Sequence, residues 1–381
     1  MNNDFWHAID QPFFILAPME AVTDVVFRQT IWRAGEIAVR DHGGSLIDNE
    51  PDIMMSEFTN TASFVSEKGK FSTRGRLTFT PDETKNGRHL VAQIWGKNPT
   101  NFREMSHQLF ERGFSGVDIN MGCPDKNVVA GGAGAGLIDT PETASEIIRA
   151  TQNGFYDYLR QQSPRLAVLN DDKIRQIIPT TTIPISVKTR LGLRRADEFR
   201  IWLPTILHER PTNLTVHLRS RKEMSKVPAH YELIAEILKL RDEVSPQTLL
   251  TINGDISSKA QALKLRDQHV YHNSKIDGFM IGRGVFNNPF TFTSISAPTR
   301  AQLFELLRFQ LDKYDEFQDI GEWQGKIIMR KFDPLKHFFK IYANGFSGAK
   351  KLRETMMNAQ TTIEVRQLLD QFEDKLYKDD A

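Results

Sequence analysis

Residues 116–124 read GVDINMGCP. Gly116 to Met121 is a short strand-forming run, and it stops at Gly122-Cys123-Pro124, a turn whose cysteine sits between the two strongest breakers of regular structure. Outward from it stand seven further runs: Phe13 to Ala17 (FFILA), Asp52 to Thr59 (DIMMSEFT), Leu90 to Trp95 (LVAQIW), Ile185 to Thr189 (ISVKT), Leu214 to Leu218 (LTVHL), Leu249 to Asn253 (LLTIN) and Gly278 to Ile281 (GFMI). Most are continuously apolar, the pattern of strands covered by helices, and amphipathic stretches such as Pro99 to Arg112, Pro141 to Gln161 and Ala229 to Asp242 lie between them. Eight alternating strand–helix units over roughly 250 to 300 residues predict an α/β fold of the (β/α)8 TIM-barrel type, with a doubly wound open sheet as the weaker competitor.

Three stretches exceed the bare repeat: Glu36 to Glu50, Lys68 to Arg88 and Asn153 to Thr182. They read as insertions. Glu36 to Arg40 (EIAVR) competes for the second strand, but Asp52 to Thr59 is longer and follows the turn formers Asp48, Asn49 and Pro51. After the eighth strand, Asn287, Asn288 and Pro289, then Ser294 to Pro298, mark a break. Beyond it Gln302 to Lys313, Gly325 to Tyr342, Ala349 to Asn358 and Thr362 to Leu376 read as helices without strands. The expected organisation is a catalytic barrel over residues 1–295 and an all-helical domain over 296–381.

The composition is that of a folded chain: 381 residues, 40% hydrophobic and 25% charged. With 49 Lys and Arg against 48 Asp and Glu, any nucleic-acid partner has to be held by a local basic patch. The single cysteine, Cys123, forms no internal disulfide and no Cys-rich metal site, which points to a reducing compartment and no metal. The opening residues carry no cationic leader region, and the apolar stretch Phe13 to Met19 is far short of the roughly 20 residues of a membrane span. A cytoplasmic enzyme or binding protein without a membrane association is expected.

In a βα barrel the chemistry lies at the carboxyl ends of the strands. There this chain places Pro18, Met19 and Glu20, then Gln93, Asn120 with Cys123, Lys188 with Arg190, His217 with Arg219, Asn253-Gly254-Asp255, and Gly282 with Arg283. Singly, a strand histidine is ordinarily structural, a lysine solvated and an Asn-Gly-Asp a turn; recurrence at successive strand ends argues for a site. The last two ends suit a phosphorylated cofactor, because Gly254, Gly282 and Gly284 admit backbone N–H groups close to an anion and Arg283 adds a planar cationic fork. Lys188 is expected to set its positive charge beside an electron-rich ring or a ring carbonyl. Cys123 is by default a small buried hydrophobe, yet its turn after a strand suits a thiol that donates a proton, or a nucleophile if its pKa is lowered. Gly131 to Gly136 (GGAGAG) matches neither a dinucleotide fingerprint nor a P-loop and reads as a mobile or closely approached loop.

Ala17-Pro18-Met19 followed by Thr23-Asp24 and Phe27-Arg28, then Asp118 to Pro124, Gly132-Ala133-Gly134, Val187 to Gly192, His217 to Arg221, Asn253 to Asp255 and Met280 to Gly284 together resemble the tRNA-dihydrouridine synthases, from about Phe13 to Pro289. Leu218 departs from that pattern, standing where a small residue is usual, and the insertions are longer. The resemblance implies an FMN-binding barrel with a helical tRNA-binding domain; a monomer is expected. It implies flavin contacts at Pro18, Met19, Glu20, Gln93, Lys188, His217, Asn253, Gly254, Asp255, Gly282 and Arg283, with Asn120 positioning flavin or uracil. The implied reaction reduces the uracil 5,6 double bond in tRNA, with hydride from a flavin reduced by NADPH or NADH and a proton from Cys123.

Two rival readings share part of this pattern. One is another FMN barrel acting on a small molecule, of the dihydroorotate dehydrogenase or ene-reductase kind. The other is an RNA-binding barrel without catalysis. Between Gly321 and Arg353, eight Lys and Arg face only Glu322 and Asp333, and this segment is the expected basic patch for tRNA.

Overall fold

A computed structural model describes residues 4–379, with the backbone alone at residues 70, 323 and 376–379. Residues 1–3, part of the N-terminal stretch read for a leader, and residues 380–381 lie outside the described residues. Nine strands form one parallel sheet: β1 (Phe13–Leu16), β2 (Ile53–Met55), β3 (Thr59–Asn60), β4 (His89–Trp95), β5 (Gly116–Met121), β6 (Ile185–Arg190), β7 (Asn213–His217), β8 (Leu249–Asn253) and β9 (Gly278–Ile281). They pair in the order β2-β1-β9-β8-β7-β6-β5-β4-β3, and β2 also pairs with β4. The sheet therefore closes on itself through Ile15 beside Ile53 and Ile53 beside His89, which excludes the open doubly wound alternative.

All eight strand regions read from the sequence are staves of this barrel. The second is divided, with β3 pairing farther along β4 at Ile94 and Trp95. Glu36 to Arg40 is not a strand; it continues the helix Val25–His42, which starts where the Asp24 side chain accepts the N–H of Phe27 at 2.9 Å. Its buried Ile31, Ala34, Ile37 and Ala38 recur at helical spacing. The helix expected from Ala229 begins later, at Ile234, after a 3-10 turn over Tyr231–Leu233.

By internal packing the chain divides into two units. The first, up to Glu20 with Pro51–Gly282, holds the barrel. Strand side chains alternate between the helix layer and the interior. Trp6, Phe13, Ile15, Ile53, Met55, Val91, Leu249 and Met280 form one buried apolar cluster. Farther along the strands the register sets Gln93 beside Asp118, Asp118 beside Ser186, Asn120 beside Lys188, Arg190 beside His217 and His217 beside Asn253. The interior thus changes from apolar to polar toward the carboxyl ends of the strands. The Asn153–Thr182 stretch prolongs the helix Pro141–Gln162 and adds Asp171–Ile177; Arg103 and Arg160 each bridge Asp157 and Asp171 there.

The second unit joins Ala21–Glu50 to the chain from Arg283 onward. Arg33 and Arg40 of Val25–His42 both reach Glu305 on the helix Arg300–Glu316 at 2.8 Å, and Phe27 stacks on Phe338 with ring centroids 5.0 Å apart. The helices Ala349–Asn358 and Thr362–Asp379 lie where the sequence predicts them. Gly325 to Tyr342 does not form the expected single helix, and this region is helical without being all-helical. β10 (Asp319–Trp323) and β11 (Lys326–Met329) make an antiparallel hairpin, followed by a 3-10 segment Asp333–Phe338 and a short helix Phe339–Tyr342. Gln324 and Gly325 both take positive φ, 52° and 76°, a two-residue hairpin turn that a helix cannot contain. Among the described residues no helix is long and apolar enough to cross a membrane, and no group of three or more His, Cys, Asp or Glu side chains is placed to hold a metal ion.

Candidate active site

The polar end of the barrel is organised around β5. Asp118 is fully buried; it accepts the Ser186 hydroxyl at 2.6 Å and Gln93 Nε2 at 2.7 Å. Gln93 Oε1 accepts Asn120 Nδ2 at 2.8 Å, and Asn120 Oδ1 accepts the backbone N–H groups of Gly122 at 3.1 Å and Cys123 at 2.8 Å. Burial pushes the Asp118 carboxyl up to about 6.

This network ends on the Cys123 turn, which other elements also hold. Arg190 donates from Nε to the carbonyl of Gly122 at 2.8 Å. The Cys123 carbonyl accepts the N–H of Ala135 at 3.1 Å, bringing the glycine loop against the turn. Gly134, at φ +56°, is required there, because a Cβ would lie 3.0 Å from that carbonyl oxygen. Of the two readings of Gly131 to Gly136, close approach is the one this geometry supports. Burial pushes the Cys123 thiol up from its ordinary value; the backbone N–H of Asp125 and the charge of Arg190 oppose the shift, and the Asp125 carboxylate adds to it. The thiol is thus kept protonated at neutral pH, the state of a proton donor and not of a thiolate nucleophile. Lys188, one layer along the same interior, is pushed down to about 8 by burial and by Arg190.

On the β7 and β8 side, His217 Nε2 lies 3.3 Å from Arg219 Nη1. A guanidinium only donates, so this ring nitrogen accepts and a neutral His217 carries its proton on Nδ1. Arg219 also donates to Asp255 and, at 2.6 Å, to the Val227 carbonyl, while Asp255 accepts the N–H of Ala229 at 3.0 Å. The Asp255 carboxylate therefore serves to hold a loop. Asn253 Nδ2 donates to the Met280 carbonyl at 2.8 Å, and the Gly254 carbonyl accepts Tyr231 OH at 2.7 Å. After β1, Pro18 and Met19 are half-buried, and the exposed Glu20 is gripped by Arg76 through two bonds of 2.7 and 2.5 Å. A Cβ at Gly282 would meet Ala17 and Met19 at 3.4 and 3.8 Å, which seats the ends of β9 and β1 side by side. Arg283 follows directly, is exposed, and belongs to the second unit.

Within the barrel unit the structure gathers Gln93, Asn120, Cys123, Lys188, His217, Asn253 and Gly254 at one end of the strands. Sequence reasoning missed the parts played by Asp118, Ser186 and Arg76, and it placed Arg190 at the strand end without its hold on the Cys123 turn. Asp118 carried a signal, as the single charge in the run GVDINM. Arg76 carried none, since it lies in the stretch read only as an insertion.

A closed βα barrel with a buried thiol and a lysine at its polar end has the architecture of a barrel enzyme with its site at the carboxyl ends of the strands. The family profile described as dihydrouridine synthase matches residues 15–156 and 168–377. Over 376 residues, 98% of each chain, the sequence is 46% identical to a probable tRNA-dihydrouridine synthase 2 of Bacillus subtilis (strain 168). It is 43% identical over 380 residues to a probable tRNA-dihydrouridine synthase of Staphylococcus aureus (strain COL), covering 100% of this chain and 98% of that one. The chain belongs to the dihydrouridine synthase family and is a flavin-dependent oxidoreductase. The small-molecule and non-catalytic readings give way to this assignment.

Proposed function

We propose that this protein reduces the 5,6 double bond of specific uridines in tRNA to dihydrouridine, with FMN as its flavin, NADPH or NADH as reductant and Cys123 as proton donor. The observation that carries the reading is the Cys123 turn, fixed by Asn120 and Arg190 at the polar end of the barrel, where burial pushes the thiol up. The residues fit a flavin. Gln93 and Asn120 each commit one N–H to the network, and an amide carries two. Gly254, at φ +122°, leaves the backbone open beside His217, where a Cβ would stand 3.0 Å from Cδ2. Lys188 supplies a cation to an electron-rich ring, while Pro18, Met19, Asn253 and Gly282 line the loops where ring and phosphate are assigned, and the family resemblance assigns Arg283 to the phosphate; Glu20 and Asp255 shape those loops through Arg76 and Arg219.

When bound, FMN supplies the hydride. Hydride arrival at uracil C6 leaves negative charge across C5 and O4, and Cys123 Sγ holds the proton that C5 takes. The target base has to leave its stack, at a cost of a few kcal/mol that contacts to the tRNA body offset. We assign those contacts to the region 296–381, with the catalytic barrel over 1–295, and the protein to the cytoplasm as a monomer.

Two measurements test this. The purified protein is expected to release FMN on denaturation, and Arg283→Ala to hold it more weakly; release of FAD counts against the assignment. Cys123→Ala is expected to reduce its flavin with NADPH at the wild-type rate but to form dihydrouridine at least about 100-fold more slowly. Unchanged turnover of tRNA in this variant removes Cys123 from the mechanism.

A further inference from the structure

Two amides connect a group that can only accept to a group that can only donate. At one end stands the Asp118 carboxylate, at the other the backbone N–H of Cys123, and Gln93 and Asn120 lie between with bonds of 2.7, 2.8 and 2.8 Å. Either amide could be turned by 180° without changing its shape. Turning both would set Gln93 Oε1 against the Asp118 carboxylate and Asn120 Nδ2 against the N–H groups of Gly122 and Cys123. Turning one would put two oxygens or two NH2 groups face to face. In a buried layer each such mismatch leaves polar groups unpaired. Only the observed direction satisfies every group.

We propose that Asp118 is a positioning residue: as the acceptor facing Gln93 Nε2 it sets the direction of the Gln93–Asn120 relay, and through Asn120 Oδ1 it seats the Cys123 turn. The inference rests on the reading of Cys123 as proton donor only for its catalytic consequence. Two further observations support it. The Ser186 hydroxyl takes the second carboxylate oxygen at 2.6 Å, so the carboxylate is anchored on the side away from Gln93. With its carboxyl at about 6, Asp118 is mainly ionised at neutral pH and enters the relay as acceptor alone. The register that sets Gln93, Asp118 and Ser186 side by side on β4, β5 and β6 makes the arrangement a property of the barrel wall and not of a loop.

The test compares Asp118→Asn with Asp118→Leu in the FMN-loaded protein. Asparagine still offers Gln93 an oxygen; leucine of similar size offers nothing. Because Cys123 is the only cysteine, alkylation by iodoacetamide reads that thiol alone. Asp118→Leu is expected to speed alkylation about tenfold as the turn loosens and to slow tRNA-dependent flavin reoxidation about tenfold or more, with Asp118→Asn staying near wild type in both. A second pair keeps the proposal testable if the leucine variant does not fold. Asn120→Asp places acceptors on both sides of Gln93, whereas Asp118→Asn combined with Asn120→Asp restores donor–acceptor order with the direction reversed. The double variant is expected to recover the alkylation rate lost or gained in Asn120→Asp. Equal behaviour of Asp118→Asn and Asp118→Leu, or a double variant no closer to wild type than Asn120→Asp, overturns the proposal. Alkylation that follows the expected pattern while reoxidation by tRNA does not leaves the relay standing and rejects Cys123 as the proton donor.

Discussion

Arg190 donates from Nε to the carbonyl of Gly122 at 2.8 Å, tying the end of β6 to the turn that carries Cys123. Its Nη1 reaches the carbonyls of Ser220 at 3.3 Å and Met224 at 3.2 Å beyond β7. One planar cation thus holds three carbonyls from two loops, a geometry that the single ammonium of a lysine cannot reproduce. Arg190→Lys keeps the charge and removes the fork. It is expected to lower stability by about 1–3 kcal/mol, the cost of leaving buried carbonyls unpaired, and to slow flavin reoxidation by tRNA. Urea unfolding and stopped-flow flavin absorbance check the two effects separately; wild-type values in both would show that the fork is dispensable.

Lys188 predicts a pH dependence whose sign can be worked out. Burial first, and then Arg190, push its ammonium from 10.5 down to about 8, while Asp118 opposes the shift. Between these values the unfolded chain binds the proton and the folded protein does not, so this residue makes stability rise as pH increases from about 8 toward 10.5. Below about 8 the folded protein carries the charge at a cost, which fits retention for function. Urea unfolding of wild type and Lys188→Met at pH 8, 9 and 10 is expected to show the rise in wild type only. Equal slopes reject the shift.

Gly254 combines a φ of +122° with a neighbouring histidine ring. Gly254→Ala forces an L residue into backbone space that glycine alone adopts comfortably, at a cost of about 1–3 kcal/mol, and it presses a methyl group toward His217 Cδ2 and Ala229. Reduced FMN retention on a desalting column, with the thermal transition lowered, is the expected result. FMN retention equal to wild type removes the loop after β8 from the flavin site.

The strands were legible because each is a short apolar run and six of the eight are closed by glycine, proline or asparagine, and the setting of Cys123 because Gly122 and Pro124 bracket it. The polar network was not. Gln93 and Asp118 are 25 residues apart and become neighbours only when the barrel sets the register of β4 against β5. Arg76 is 56 residues from Glu20, in a stretch without a period to read. The hairpin over β10 and β11 escaped because its apolar residues also fit a helical spacing, and the positive φ of Gln324 is not encoded by a residue type that favours it.

The eight cations between Gly321 and Arg353 are not equivalent. Arg330 is bound to Asp24, Lys336 lies 3.0 Å from Asp333 and over the ring of Phe332, and Arg353 donates to the Ala343 carbonyl at 3.3 Å. These three hold the unit together, whereas Lys326, Lys331, Lys340, Lys350 and Lys351 are exposed. A tRNA surface has to be built from the exposed set. Lys340→Glu, Lys350→Glu and Lys351→Glu together are expected to raise the tRNA dissociation constant and to reduce the slope of log affinity against log salt by roughly one per cation removed. Flavin reduction by NADPH, which needs no tRNA, is expected to be unchanged. Lys336→Glu should behave differently, lowering stability through repulsion from Asp333 before it alters RNA affinity. If the triple variant binds tRNA with the affinity and salt slope of the wild type, this face is solvated, and the phosphate contacts have to come from the rim of the barrel.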